Sequence, residues 1–179
     1  QRFLMYATDL LHGAGVYVSA DVFGETSNNY VAPYGQYWDA ISTVVDVISG
    51  MPYPDHYSSY YKNGSYYRPY KHPYGTLNDW ATHVQLRQSE CSSPAVVRTW
   101  IQAYHVMSWV DRNGLDNDAN YIEREIRGLY DAGLTGGYNT WLASGNISIY
   151  RSQKEAYQLD YTSLPPVDSL NTFITGKRQ

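Results

Sequence analysis

The chain has 179 residues, a formal net charge of -4, and 43% hydrophobic against 17% charged residues. That is the length and apolar content of one globular domain able to bury a core. It carries no cluster of Lys and Arg, so the attraction on which nucleic-acid and anionic-membrane binding depends is missing, and no apolar run is long enough to span a bilayer. A neutral or weakly polar ligand suits it better. Its 20 Tyr and 5 Trp supply rings that stack on CH faces while donating hydrogen bonds, as sugars require, although tyrosines also serve half-buried strands and loop packing. The lone Cys91 excludes an internal disulfide framework and a cysteine metal site.

In chain order, Arg2 to His12 is helix-like and is closed by Gly13 and Gly15. The chain opens inside this helical spacing, which is the pattern of a fragment. A strand follows from Val16 to Gly24, with Val16, Val18, Ala20 and Val22 on one face and Tyr17, Ser19, Asp21 and Phe23 on the other. A loop through Asn28, Asn29 and Tyr30 leads to a short helix over Gln36 to Thr43. The second strand, Val44 to Met51, is nearly continuous in apolar residues, as a parallel strand covered on both sides would be. Asp55 to Pro73 reads as a long irregular loop, of the kind that in compact domains is functional or disordered, and Leu77 to Gln88 as an amphipathic helix.

The third strand runs from Val96 to Tyr104. Asp116 to Asn120 supplies capping residues for a helix over Tyr121 to Ala132, whose apolar stripe is Ile122, Ile126, Leu129 and Tyr130. The fourth strand is Gly136 to Ala143, a last helical piece covers Gln153 to Leu159, and residues 161–179 read as a tail behind a domain at 1–160. Alternating strands and helices predict an α/β fold with a parallel sheet.

The expected class is therefore the C-terminal half, about four βα units, of a TIM-type (β/α)8 barrel, because a closed eight-stranded barrel needs about 250 residues. Three completions are open. Four strands precede the chain, two copies pair through the open half-barrel edge, or the half rearranges into an open sheet; the first is the expectation.

In a parallel barrel the C-terminal strand ends converge on one mouth, where ligands bind. Asp21, in an otherwise apolar strand, is the leading acid/base candidate, and its plainer reading is a carboxylate satisfied by a hydroxyl or by Arg98. Glu25, just past Gly24, is the second catalytic candidate, since glycoside cleavage uses two carboxylates; a loop Glu is more often merely solvated. Asp46, near the start of its strand, is expected to be structural. Tyr53, His56 and Tyr57 cluster after the second strand, where a histidine could bind a sugar hydroxyl or transfer a proton.

His12, His72, His83 and His105 lack metal-ligand spacing, so neither a metal nor another cofactor is expected. Phosphate loops and the G-x-S-x-G nucleophile context are also absent. Asn63-Gly64-Ser65 and Asn146-Ile147-Ser148 are glycosylation sequons.

The segments Ser19 to Gly24, Tyr34 to Ser42, Val44 to Ser58, Val97 to Tyr104 and Gly136 to Ser148 resemble, in order and spacing over residues 1 to 150, the later strands of a family of suggested glycosyl hydrolases. That family is catalogued as a domain of unknown function, with a barrel distantly similar to alpha-amylase-like glycosidases.

The resemblance implies that Asp21 ends the fifth barrel strand, with Gln36, Tyr53, His56, Tyr57, Trp100, Gln102 and Trp141 around the same mouth as substrate-binding candidates. It also implies that the nucleophile-bearing strand precedes this chain. Asp55 stands where the family usually has a small Ser, and Gly50 and Thr99 replace prolines common in it. The expected function is a glycoside hydrolase acting on a polysaccharide, with a non-catalytic carbohydrate-binding barrel domain as the alternative. A carbohydrate is the expected partner and nucleic acid is not. The full-length protein's compartment is left open, a secreted or cell-surface setting being one expectation.

Overall fold

The computed structural model describes residues 1–28, 34–104 and 119–165. Helix α1 (Arg2–Gly13) leads into β1 (Ser19–Phe23), α2 (Trp38–Ser42) and β2 (Val47–Met51). A hairpin of β3 (Tyr60–Lys62) and β4 (Ser65–Tyr67) follows, then α3 (Pro73–Glu90), β5 (Val96–Val97), β6 (Thr99–Gln102), α4 (Ala119–Asp131), β7 (Tyr138–Trp141), α5 (Ile147–Ser152) and α6 (Lys154–Tyr157). Asn29, Tyr30, His105 and Asp116 lie outside the described residues.

The α/β expectation holds. β1 pairs in parallel with β2 and β2 with β5, and β6 pairs in parallel with β7. β5 and β6 are one line of chain interrupted at Arg98, whose N–H still donates to the Ile48 carbonyl at 3.1 Å. The strands are shorter than the sequence suggests, β1 beginning at Ser19 and not at Val16 and β2 at Val47 and not at Val44. α2, α3 and α4 each fall between successive strands, as parallel connections require.

One face of the sheet makes the core. Val22, Ile48 and Ile101 pack against Trp38, Leu77, Trp80, Ala81, Val84, Ile122, Ile126 and Leu129 of the helices. Burying each such aliphatic side chain contributes about 1.5–3 kcal/mol. The two core indoles meet edge to face at 6.0 Å, and each finds an acceptor: Trp38 Nε1–H donates to Gln88 Oε1 at 2.9 Å and Trp80 Nε1–H to the Gly24 carbonyl at 2.8 Å. Gly50 lies directly under the Trp80 ring, where a Cβ would collide with it. Gly128 does the same for the helix layer: a Cβ there would stand 2.5 Å from the Tyr74 carbonyl oxygen, so its absence lets α3 and α4 close together.

The stretch from Asp55 to Pro73 is not an irregular loop. β3 and β4 pair antiparallel, Tyr60 with Tyr67 and Lys62 with Ser65. Asn63 and Gly64 between them take positive φ values of 51° and 78°, the geometry of a two-residue hairpin turn. The Asn-Gly pair is the sequence signal for it. α3 starts four residues earlier than its apolar pattern because Pro73 supplies the preset φ of a first helical position. The Ile147–Ser152 helix, capped by the Asn146 side chain, was not expected. Packing continues past residue 160: Tyr161 is 7% exposed and its ring lies 5.6 Å from that of Tyr130.

The first edge of the sheet is open among the described residues, and so at β1 is the face opposite the core. Ser19, Asp21 and Phe23 are exposed, and α1 buries only Thr8 while Phe3 and Tyr6 are 78% and 68% exposed. Gly50→Ala should destabilise the fold by about 1–3 kcal/mol through overpacking against Trp80. Urea unfolding would read this as a lower midpoint with an unchanged slope; an unchanged midpoint would mean that the indole moves aside freely.

Candidate functional site

Strand alternation puts Asp21 on the face opposite the core, and its register partner is Ser49 of β2. On β6, Ile101 enters the core, so Trp100 and Gln102 point to the Asp21 side, and Gln102 is in register with Trp141 of β7. The Trp100 indole N–H donates to Asp21 Oδ1 at 2.9 Å, across 79 residues of sequence. Trp141 stands perpendicular to Trp100, with ring centroids 6.0 Å apart, and is 45% exposed. The carboxylate is thus held beside an accessible corner of two indoles. Among the described residues its partner is that indole and neither a hydroxyl nor Arg98, whose Nε–H donates to the Gly136 carbonyl instead.

The other expected residues divide. Tyr53 is buried, edge-on to His56 at 5.3 Å and to Tyr104 at 5.7 Å. Burial, then the charges of Asp21 and Glu125, push its hydroxyl pKa well up, so it stays a neutral phenol. His56 is half exposed in the short 3-10 turn Pro54–His56 that follows β2. Gln36 accepts the Phe23 N–H at 2.8 Å and so ties its loop to the end of β1. The Tyr57 hydroxyl is buried over Gly24, where a Cβ would strike it. Glu25 is exposed in the turn after β1, and among the described residues no hydrogen bond joins its side chain to Asp21. Asp46 has the structural place expected of it, accepting the Val18 N–H at 2.7 Å and lying 2.8 Å from His12 Nε2.

Gln102 is fully buried and bridges two layers. Its backbone N–H donates to Glu125 Oε1 at 3.3 Å, and its side-chain Oε1 accepts the Asp55 N–H at 3.3 Å. Glu125 and Asp55 were absent from the expected site. Glu125 lies on the buried stripe of α4, between Ile122 and Ile126, and the one legible signal was an acidic residue at a core-facing position. Burial pushes its carboxyl well above the usual range; the Gln102 N–H works against this and the Asp55 charge adds to it. Asp55 is 4% exposed, and its Oδ1 accepts the Tyr104 O–H at 2.8 Å. Glu125 Oε2, Asp55 Oδ2, Gln102 Nε2 and Ser49 Oγ are buried with no partner among the described residues. Such atoms are costly and mark either an ordered water or a working site.

Among the described residues no group of His, Cys, Asp and Glu is arranged to hold a metal, and no helix is long and apolar enough to cross a membrane. The raised Glu125 pKa makes a sign-definite prediction. The folded state keeps a proton that the unfolded state releases above about pH 4.3, so this contribution is complete below that pH and is lost as pH rises through the folded pKa. Glu125→Gln, which mimics the neutral acid, should therefore unfold at higher denaturant than the parent, with a gap that widens as pH rises above about 4.3. A gap that does not change with pH above that point would show that Glu125 folds as a carboxylate.

No curated protein and no solved structure matches the chain. Residues 1–147 match a family model described as "Putative glycosyl hydrolase domain". That match covers most of the chain, which belongs to the family so described.

Proposed function

We propose that this chain forms strands five to eight of a (β/α)8 barrel whose mouth hydrolyses a polysaccharide. Asp21 would be the proton-transferring carboxylate, with Trp100 and Trp141 as the sugar platform. The observation that carries the reading is the Trp100–Asp21 hydrogen bond, which sets a carboxylate beside an exposed aromatic corner at the C-terminal side of parallel strands. Sugars expose CH faces to rings and hydroxyls to carboxylates, and glycoside cleavage needs a positioned acid at that junction.

The half-barrel reading is supported by the first edge at β1, unpaired among the described residues, and by the apolar side of α1, uncovered among them, both of which further strands and helices would cover. The same edge would permit two copies to pair. On this reading the partner carboxylate belongs to a preceding strand, and the chain alone is inactive. Exposure of Glu25, away from any bond to Asp21, favours as second reading a carbohydrate-binding domain without catalysis.

The test is release of reducing ends from starch, cellulose, xylan and chitin by the protein carrying its preceding strands. Loss of a positioned general acid costs about 10²–10⁴-fold, so Asp21→Asn should lower kcat by that much while leaving retention on the polysaccharide. Hydrolysis unaffected by the change would remove Asp21 from the chemistry. Retention without any hydrolysis would favour the binding domain.

A further inference from the structure

Three residues outside the Asp21 corner form an ordered chain of their own. Asp55, from the turn after β2, accepts the Tyr104 O–H at 2.8 Å. The Tyr104 oxygen also lies 3.3 Å from His56 Nε2, and Asp55 Oδ1 is 3.7 Å from that same nitrogen. A phenol has one proton to give. Burial and the Asp55 charge both hold that proton on Tyr104, and the short bond to Asp55 uses it. Toward His56 the tyrosine can then only accept, so Nε2 must be the protonated ring nitrogen.

The other nitrogen, Nδ1, makes no hydrogen bond among the described residues, and the imidazole side chain is 51% exposed. Behind Asp55 the support continues through Gln102, whose Oε1 accepts the Asp55 N–H, to the buried Glu125. Among the described residues the ionisable groups around the ring are Tyr53, edge-on to it, together with Asp55 and Tyr104; Asp21 and Glu125 act on Tyr53.

We propose that Asp55 and Tyr104 are positioning residues that lock His56 with Nε2–H turned inward and Nδ1 turned to the mouth as a proton acceptor. This deepens the hydrolase reading and rests on it for its chemistry. The departing sugar oxygen takes the proton of Asp21 as the glycosidic bond breaks and the partner carboxylate of the preceding strand bonds the anomeric carbon. Water then bonds that carbon as its bond to the partner carboxylate breaks, and Nδ1 takes the proton that the water gives up. Solvent returns a proton from the imidazolium to the Asp21 carboxylate, so water is the one further reactant consumed. The arrangement is a histidine oriented by a carboxylate, with a tyrosine hydroxyl inserted between them.

The lock can be read without any substrate. In protein labelled with 15N-histidine, at a pH where the ring is neutral, long-range 1H–15N spectra should give His56 a protonated Nε2 and a bare Nδ1. Tyr104→Phe, checked for folding by its thermal midpoint, should shift the Nε2 resonance and speed exchange of its proton. A protonated Nδ1, or a His56 spectrum unmoved by Tyr104→Phe, overturns the lock. On any polysaccharide that the protein cleaves, Tyr104→Phe and His56→Gln should each lower kcat by about tenfold or more with KM nearly unchanged. A change confined to KM overturns the proton-acceptor role. No cleavage of any polysaccharide, with the Nε2–H lock intact, would overturn the hydrolase chemistry while leaving the tautomer assignment standing.

Discussion

Gln102 is the residue through which the two layers of this protein are joined. It is fully buried at the end of β6, donates its backbone N–H to Glu125 in the helix layer, and accepts the Asp55 N–H from the turn after β2. Buried amides and carboxyls are tolerated only where their partners are fixed. The pair of bonds therefore sets the height of α4 against the sheet and the path of the chain toward His56 together. A change at Gln102 would be felt on both sides of the sheet.

The sheet divides the chemistry by the simple period of a strand. Val22, Ile48 and Ile101 face the helices and supply most of the strand contribution to the core, while their neighbours Asp21, Ser49, Trp100 and Gln102 face the other way. One register shift in β1 would carry Asp21 into the apolar layer, at several kcal/mol for an unpaired charge. Fold stability and site placement are thus one constraint, and Gly50 under Trp80 leaves no room there for a side chain.

The layer pattern was legible in the sequence because it is local. Alternation around Asp21 and the apolar run of β2 give the strands and the faces, and the family resemblance agrees with the family match over residues 1–147. What escaped was of two kinds. The hairpin at Tyr60 to Tyr67 was hidden by its tyrosine-rich composition, although Asn63-Gly64 announces it. The second kind is long-range: Trp100 meets Asp21 across 79 residues and Tyr104 meets Asp55 across 49, contacts that no period encodes. Glu125 escaped because an apolar stripe is read by its hydrophobic members, and a buried acid held neutral looks like a solvent-facing gap. Gln36 and Gln102 were expected to face a sugar, but each has its carbonyl oxygen engaged by a backbone N–H.

The central claim is that the face bearing Asp21, Trp100 and Trp141 is where a sugar sits. The most direct measurement is the set of indole N–H resonances of the five tryptophans in 15N-labelled protein, followed while soluble oligosaccharides of starch, cellulose, xylan and chitin are added in turn. The account predicts that at least one series moves the Trp100 and Trp141 signals together and leaves the buried Trp38 and Trp80 signals in place. Movement of Trp38 and Trp80 instead, or no movement of Trp100 and Trp141 with a sugar that the protein demonstrably binds, would contradict it.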